Sequence, residues 1–257
     1  MNKKTILGII LALICNFSVQ SQVSPFSKLS VGLGLSTYGG RIELSTPITS
    51  FINLRGGFSL LPYTYTTRIP MDAEEYRDYI DYDPDLKLTA KLNFSHAHVL
   101  ADFSPFKSNS FYLTTGLFFG SSKITGQGIL LNPSNDRPTV DDLRDGGYVG
   151  EELPEIEIDD DYAILPDHDG SVNGNILLGS GIKPYVGLGI GRTIPNSKIG
   201  FRFDLGAVYQ GEADFTSPNM SKGTLNDLIK TDEIYQQVEP FTKWYTMINL
   251  QISYRIF

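Results

Sequence analysis

The sequence predicts an all-β fold, an eight-stranded antiparallel up-and-down transmembrane β-barrel with long acidic extracellular loops, and three observations lead there. Apolar and polar residues alternate in short stretches along most of the chain, the period of a strand with two unlike faces. After the first residues no stretch reads as a membrane-spanning helix, so a bilayer could be crossed only by a closed barrel. The connections between alternating stretches are short at one end and long at the other, with a single tight exception. That sorting is the asymmetry of bacterial outer-membrane barrels, whose short turns face the periplasm.

The opening "MNKKTILGIILALICNFSVQSQ" places Lys3 and Lys4 before an apolar run from Ile6 to Ile14 and then small and polar residues, the layout of a secretory signal peptide. Residues 1–21 are therefore expected to be removed, leaving 22–257 as the barrel domain. Cys15 follows Leu13 and Ile14, not the small residue that precedes a lipid-attachment cysteine, so simple cleavage is expected. The mature chain would then hold no cysteine, which excludes disulfides and thiol catalysis.

Strand parity follows in order. Leu29, Val31, Leu33 and Leu35 form the first apolar row; after "TYGG" the parity flips to Ile42 and Leu44, so a tight turn is expected at Gly39 and Gly40. The third row is Ile52, Leu54, Gly56, Phe58 and Leu60. The fourth starts on Leu86, Leu88, Ala90, Leu92 and Phe94 and continues on Ala97, Val99, Ala101 and Phe103, which implies a bulge near Ser95. Next come the rows Phe111–Phe119, Val186–Ile190 and Ile199–Tyr209. The closing stretch "KWYTMINLQISYRIF" has Trp244, Thr246, Ile248, Leu250, Ile252, Tyr254 and Ile256 on one face. This last strand is expected to pair with the first and leave no edge. A short helix is expected within 224–238, and an extra hairpin within 126–175 stays open.

Aromatic residues mark the two interfaces. Tyr38, Tyr63, Tyr65, Tyr209, Trp244 and Tyr245 fall on the long-loop side, and Phe103, Phe106, Phe111, Tyr112, Tyr254 and Phe257 near the short turns. The ten residues from Trp244 to Tyr254 project, at about 3.3 Å each and a tilt near 45°, to roughly 23 Å, against an apolar band of about 25 Å.

The pieces "KLSVGLGLSTYGGRIEL", "NLRGGFSLLPY", "KPYVGLGIGRTIPNSKIGFRFDLGAVYQG" and "NLQISYRIF" resemble the OmpA- and OmpW-like small outer-membrane β-barrels, in the variants common in Bacteroidetes-type bacteria. The resemblance covers nearly all the proposed strands and implies location in the bacterial outer membrane, contact with outer-membrane lipid, and recognition of the C-terminal strand by the barrel-assembly machinery. Phe257 takes the opposite parity from Tyr254 and Ile256.

By parity the lumen is expected to contain Glu43, Arg55, Lys87, Lys91, Asp102, Arg202, Asp204 and Arg255. Both signs occur there, and an eight-stranded barrel is only wide enough for side chains to fill it, so a lumen plugged by ion pairs is expected rather than a pore. "HAH" puts His96 and His98 on one strand face, a spacing that suits zinc with Asp102 as third ligand; the alternative is two polar lumen residues. His168 between Asp167 and Asp169 resembles the acidic and histidine sites of omptin-type proteases, without a matching motif set.

The chain carries 21 Lys and Arg against 29 Asp and Glu, a formal net charge of −8, which argues against nucleic acid as a partner. Residues 62–85 have a net charge of −5 and 136–169 of −11. These loops could attract cations, although "DHDGSVNGN" lacks the glycine and terminal glutamate of an EF-hand, and solvated loops are the simpler expectation. Together these features predict a non-enzymatic barrel, without cofactor, in a structural or surface-interaction role. The alternatives are a narrow porin for small solutes or cations, a surface hydrolase, and a periplasmic lipocalin-like binding protein.

Overall fold

The computed structural model describes residues 24–70, 79, 85–105, 110–132, 134–137 and 139–257. The expected signal peptide (1–21), the acids Asp72, Glu74, Glu75, Asp78, Asp81 and Asp83, and Phe106 lie outside the described residues. The elements run β1 (Ser30–Ser36), β2 (Gly39–Pro47), β3 (Ile52–Pro70), β4 (Asp85–Phe103), β5 (Phe111–Leu131), α1 (Val140–Asp145), β6 (Ile156–Asp159), β7 (Tyr162–Ile164) and β8 (Ser171–Leu178). They continue with β9 (Ile182–Gly191), β10 (Ile199–Tyr209), β11 (Ala213–Thr216), β12 (Met220–Lys222), α2 (Leu225–Thr231), α3 (Glu233–Thr242) and β13 (Trp244–Arg255).

Eight strands close a ring in the order β1-β2-β3-β4-β5-β9-β10-β13 and back to β1. Every pairing in it is antiparallel. The outward rows of these strands supply an exterior of aliphatic and aromatic side chains, with Leu35 and Phe201 each 74% exposed. Such a surface is excluded in water and satisfied in lipid.

The tight turn between β1 and β2 falls at Thr37 and Tyr38. The Ser36 hydroxyl accepts from the Tyr38 amide at 3.1 Å, and Gly39 takes φ +96° where a Cβ would sit 1.9 Å from the Leu60 carbonyl oxygen. Only glycine fits there.

The wall is lopsided. β3 and β4 have 19 residues each and β5 has 21, where about 9–11 cross a bilayer. β8 pairs with the upper part of β5, and β11 with β8, so β3, β4, β5, β8 and β11 continue as one sheet beyond the ring on the long-loop side. β8 prolongs the line of β9 after a break at Gly179, whose φ is +65°. β6, β7 and β12 form a separate three-stranded sheet. Leu143 of α1 and Leu153 pack on Leu130 of β5, with Leu86, Tyr79 and Ile156 around them. The hairpin left open by the sequence therefore exists, but it joins this outer layer and not the ring. The expected short helix is α2 followed by α3, with Thr224 as N-cap of α2.

One parity expectation is corrected. The register of β4 runs without a slip from Phe103↔Ile52 to Asp85↔Pro70 and likewise against β5, so no bulge lies near Ser95. The row Leu86, Leu88, Ala90, Leu92 and Phe94 shares the inward face of His96 and Asp102. It looked lipid-facing because the upper interior is itself apolar, and alternation does not say which face is which.

Candidate functional site

The interior has two layers. In the half nearer the short turns, three guanidinium groups meet three carboxylates, all at most 4% exposed. Arg55, from β3, reaches Asp102 at 2.8 Å, Asp204 at 3.5 Å and Glu43 at 3.7 Å. Arg41 contacts Glu43 at 2.8 Å from two residues along β2. Arg202 pairs with Glu43 and lies 3.6 Å from Asp204. The charges balance within the cluster, and neutral donors complete the carboxylates. The Thr114 and Thr193 hydroxyls donate to Asp102 at 2.8 and 2.5 Å. Tyr112 and Asn249 each donate to Asp204 at 2.6 Å. Buried charges persist only when paired and hydrogen-bonded in this way.

Above this network lies an apolar and aromatic layer of Tyr38, Phe94, Leu100, Phe118, Tyr185, Val208 and Met247. The Tyr38 ring stacks on His96 at 4.5 Å with 8° between planes. The short-turn mouth is closed by the β9–β10 connection. Thr193 is 3% exposed and its carbonyl accepts from Ser30, while Arg255 donates to the Pro195 and Asn196 carbonyls at 3.1 and 2.6 Å.

Of the residues expected in the lumen, the structure brings together Glu43, Arg55, Asp102, Arg202 and Asp204, and puts Arg255 at the mouth. Lys87 and Lys91 are a correction. With no bulge in β4 they share the outward parity of Val99 and Phe103, and Lys91 is exposed. They stand on the outer face of the tall wall, where Asn93 and Lys123 are neighbours across strands. Arg41 and Lys183 were missed. Arg41 sits on the row of Glu43, a signal already present in the alternation. Lys183 lies on the row of Tyr185, and its ammonium donates to the Leu178 carbonyl at 2.9 Å and to that of Ser180.

The zinc expectation is also corrected. His96 and His98 do share a face, but His96 Nε2 meets Ser122 Oγ at 3.0 Å and His98 Nε2 meets Glu43 Oε2 at 3.1 Å, while Asp102 is held by Arg55. Among the described residues no group of three His, Cys, Asp or Glu could hold a metal ion. The i, i+2 spacing puts both rings on the inward face; the adjacent β5 then supplies Ser122 to His96, and the non-adjacent β2 supplies Glu43 to His98.

The interface aromatics Tyr209, Trp244, Phe103, Phe111, Tyr254 and Phe257 lie on the exterior, with Tyr209 and Trp244 edge-to-face at 5.0 Å. Tyr63 is a correction: it shares the inward parity of Arg55 and Ser59 and stands above the ring, 55% exposed. Tyr38 is 0% exposed inside the lumen, because the tight turn folds it over the barrel. Beside His168, the Asp167 carboxylate is occupied by Asn219, Asn173 and Ser171 at 3.1 to 3.2 Å, and Asp169 by Arg137.

A closed antiparallel ring with an apolar exterior and an ion-paired interior is a transmembrane β-barrel, and its short turns at one end and tall, elaborated wall at the other are the architecture of the bacterial outer membrane. A solved structure agrees on the fold. The chain is similar to CarO2 of Acinetobacter baumannii, with 15% identity, a TM-score of 0.53, and coverage of 90% of this chain and 99% of that one. CarO of Acinetobacter baumannii matches at 12% identity, TM-score 0.49, covering 91% and 99%. A major outer membrane protein from Thermus thermophilus matches at 15%, TM-score 0.37, covering 89% and 98%. No protein-family model and no curated protein matches the chain.

Proposed function

We propose that the protein is a non-enzymatic, OmpA/OmpW-like barrel whose lumen is filled and non-conducting, and whose role is carried by the elements on its extracellular side. The observation that supports this reading is the charge-balanced cluster of Arg41, Arg55, Arg202, Glu43, Asp102 and Asp204, roofed by the aromatic layer around Tyr38. An ion entering would have to break buried pairs whose partners are then left without solvation, a cost of several kcal/mol each. In this reading residues 1–21 direct export and are removed, and the closing strand β13 is the segment read by the assembly machinery.

The test is single-channel recording in planar bilayers with the refolded protein. A flat baseline over a range of voltages is expected. Regular unitary steps would overturn the filled-lumen reading in favour of a narrow porin.

A further inference from the structure

Between the tall wall and the separate sheet lies a cavity of about 330 Å³, within the about 300–1,000 Å³ of small-molecule sites. Its floor is the inward face of β4, β5 and β8, with Leu86, Leu88 and Val172; its roof is Ile158 and Ile164 of the separate sheet, Met220 of β12 and Leu225 of α2. The lining is aliphatic, without a charged group or an aromatic ring, and its polar members are Asn173 and Ser217.

Two glycines make the space. Gly126 and Gly174 face each other across β5 and β8, in strand interiors where glycine weakens a sheet. Glycine in such a position marks a bulge, a sharp bend, or the close approach of another backbone or a ligand. The β5–β8 register passes through both without a slip, and neither takes a positive φ. No backbone crowds them either: a Cβ at Gly126 would meet nothing nearer than the Gly174 carbonyl at 3.8 Å, and one at Gly174 nothing nearer than the Thr216 carbonyl at 3.7 Å. Side chains would fit at both positions, and their absence leaves a slot between two β layers.

We infer that this slot is a binding site for the aliphatic chain of a small amphiphile, such as a medium-chain fatty acid, with its polar head in solvent beyond the Asn173 and Ser217 edge, whose own side chains are engaged with Asp167 and with the Asn173 carbonyl. A flat slot walled by Leu, Ile, Val and Met suits an unbranched alkyl chain, and no charged lining group sets a requirement on the head. The inference rests on the reading that the extracellular side carries the role, and is independent of whether the lumen conducts.

The test uses the refolded full-length mature chain in amphipol, irradiated with decanoic acid that carries a terminal diazirine, and the adducts are mapped by mass spectrometry. Adducts are expected on the strands and helix that line the cavity, and competed by unlabelled decanoic acid. Gly174→Leu fills the floor and Leu225→Phe narrows the roof from outside the ring; each is expected to reduce labelling at the cavity at least about tenfold while the unboiled protein keeps its fast gel migration. If Gly174→Leu loses that migration, Leu225→Phe decides. Adducts confined to the lipid-facing rows, or wild-type labelling in a folded variant, overturn the site. Bilayer recordings on the same preparation keep the two readings apart: a conducting barrel with a labelled cavity defeats only the filled lumen, and a silent barrel with an unlabelled cavity defeats only the site.

Discussion

Arg55 Nη2 lies 2.8 Å from Asp102 Oδ1, with both side chains at most 1% exposed, and the same guanidinium group also faces Asp204 and Glu43. Arg41 has one carboxylate, Glu43, at 2.8 Å. Removing one partner of a buried pair costs about 3–5 kcal/mol because the other is left uncompensated. Arg55→Met should therefore lower the unfolding free energy by about that amount, and clearly more than Arg41→Met. Urea unfolding of the refolded barrel, followed by gel migration, checks this. Equal losses in the two variants would mean that the network does not centre on Arg55.

Lipid contact can be tested on β13. Ile248 pairs with Leu205 midway between Trp244 and Tyr254, and is 42% exposed on the exterior. Ile248→Arg should cost about 2–4 kcal/mol, the range for arginine at the bilayer midplane. Lys91→Ser, on the outer face of the wall above the belt, should change stability within about 0.5 kcal/mol. If both substitutions were equally tolerated, the apolar belt would not be in lipid.

The histidines should be insensitive to metal. Because His96 and His98 have separate partners, zinc or a chelator is expected to leave the unfolding midpoint unchanged. His96→Phe keeps a ring against Tyr38 and should retain heat-modifiable migration. A rise in midpoint with zinc that disappears in His96→Phe would restore the metal reading.

Local stability of α1 should depend on pH. Thr139 and Asp142 form a reciprocal cap: the Thr139 amide donates to the Asp142 carboxylate at 2.7 Å and the Asp142 amide to the Thr139 hydroxyl at 3.2 Å. Hydrogen bonds from the Thr139 amide and then its hydroxyl hold the Asp142 carboxyl below its ordinary value of 3.8. A depressed carboxyl stabilises above its unfolded value and loses that contribution as pH falls through the folded one. Amide exchange in 140–145, measured relative to that of an unfolded chain at the same pH, should thus quicken below about pH 4, while the same ratio for the ring strands stays constant. Thr139→Ala should quicken it already at neutral pH, through loss of about 1 kcal/mol of capping. No response at either pH would show that packing of Leu143 alone holds the helix.

The sequence was most legible where the two strand faces differ most. In β2, β10 and β13 the rows of Ile42, Phe203 and Leu250 face lipid and those of Glu43, Asp204 and Asn249 face the lumen, so alternation carried both the strand and its sense. β4 was not legible in this way. Its upper inward residues enter the aromatic layer and the outer hydrophobic cluster, so an apolar row stood on the inside, and Lys87 and Lys91 were turned inward with it. Tyr38 illustrates a second limit: alternation stops at a turn, and only the fold shows that the turn lays its ring over the lumen. Which carboxylate answers which guanidinium is likewise set by shear between strands far apart in sequence, as with Glu43 and Arg202.

The lopsided wall also sets how the ring comes apart. β3 is joined to β4, and β4 to β5, by nineteen residue pairs each, whereas β1 is joined to β13 and to β2, and β9 to β10, by seven each, and of these three short joints β1–β13 is the one that no chain connection spans. Under a pulling force the joint between β1 and β13 is the place to tear, and the long hairpins persist as an open sheet. During assembly the order reverses: the hairpins, whose partners are neighbours in sequence, zip early, and the short joint between the ring's first and last strands is the final latch.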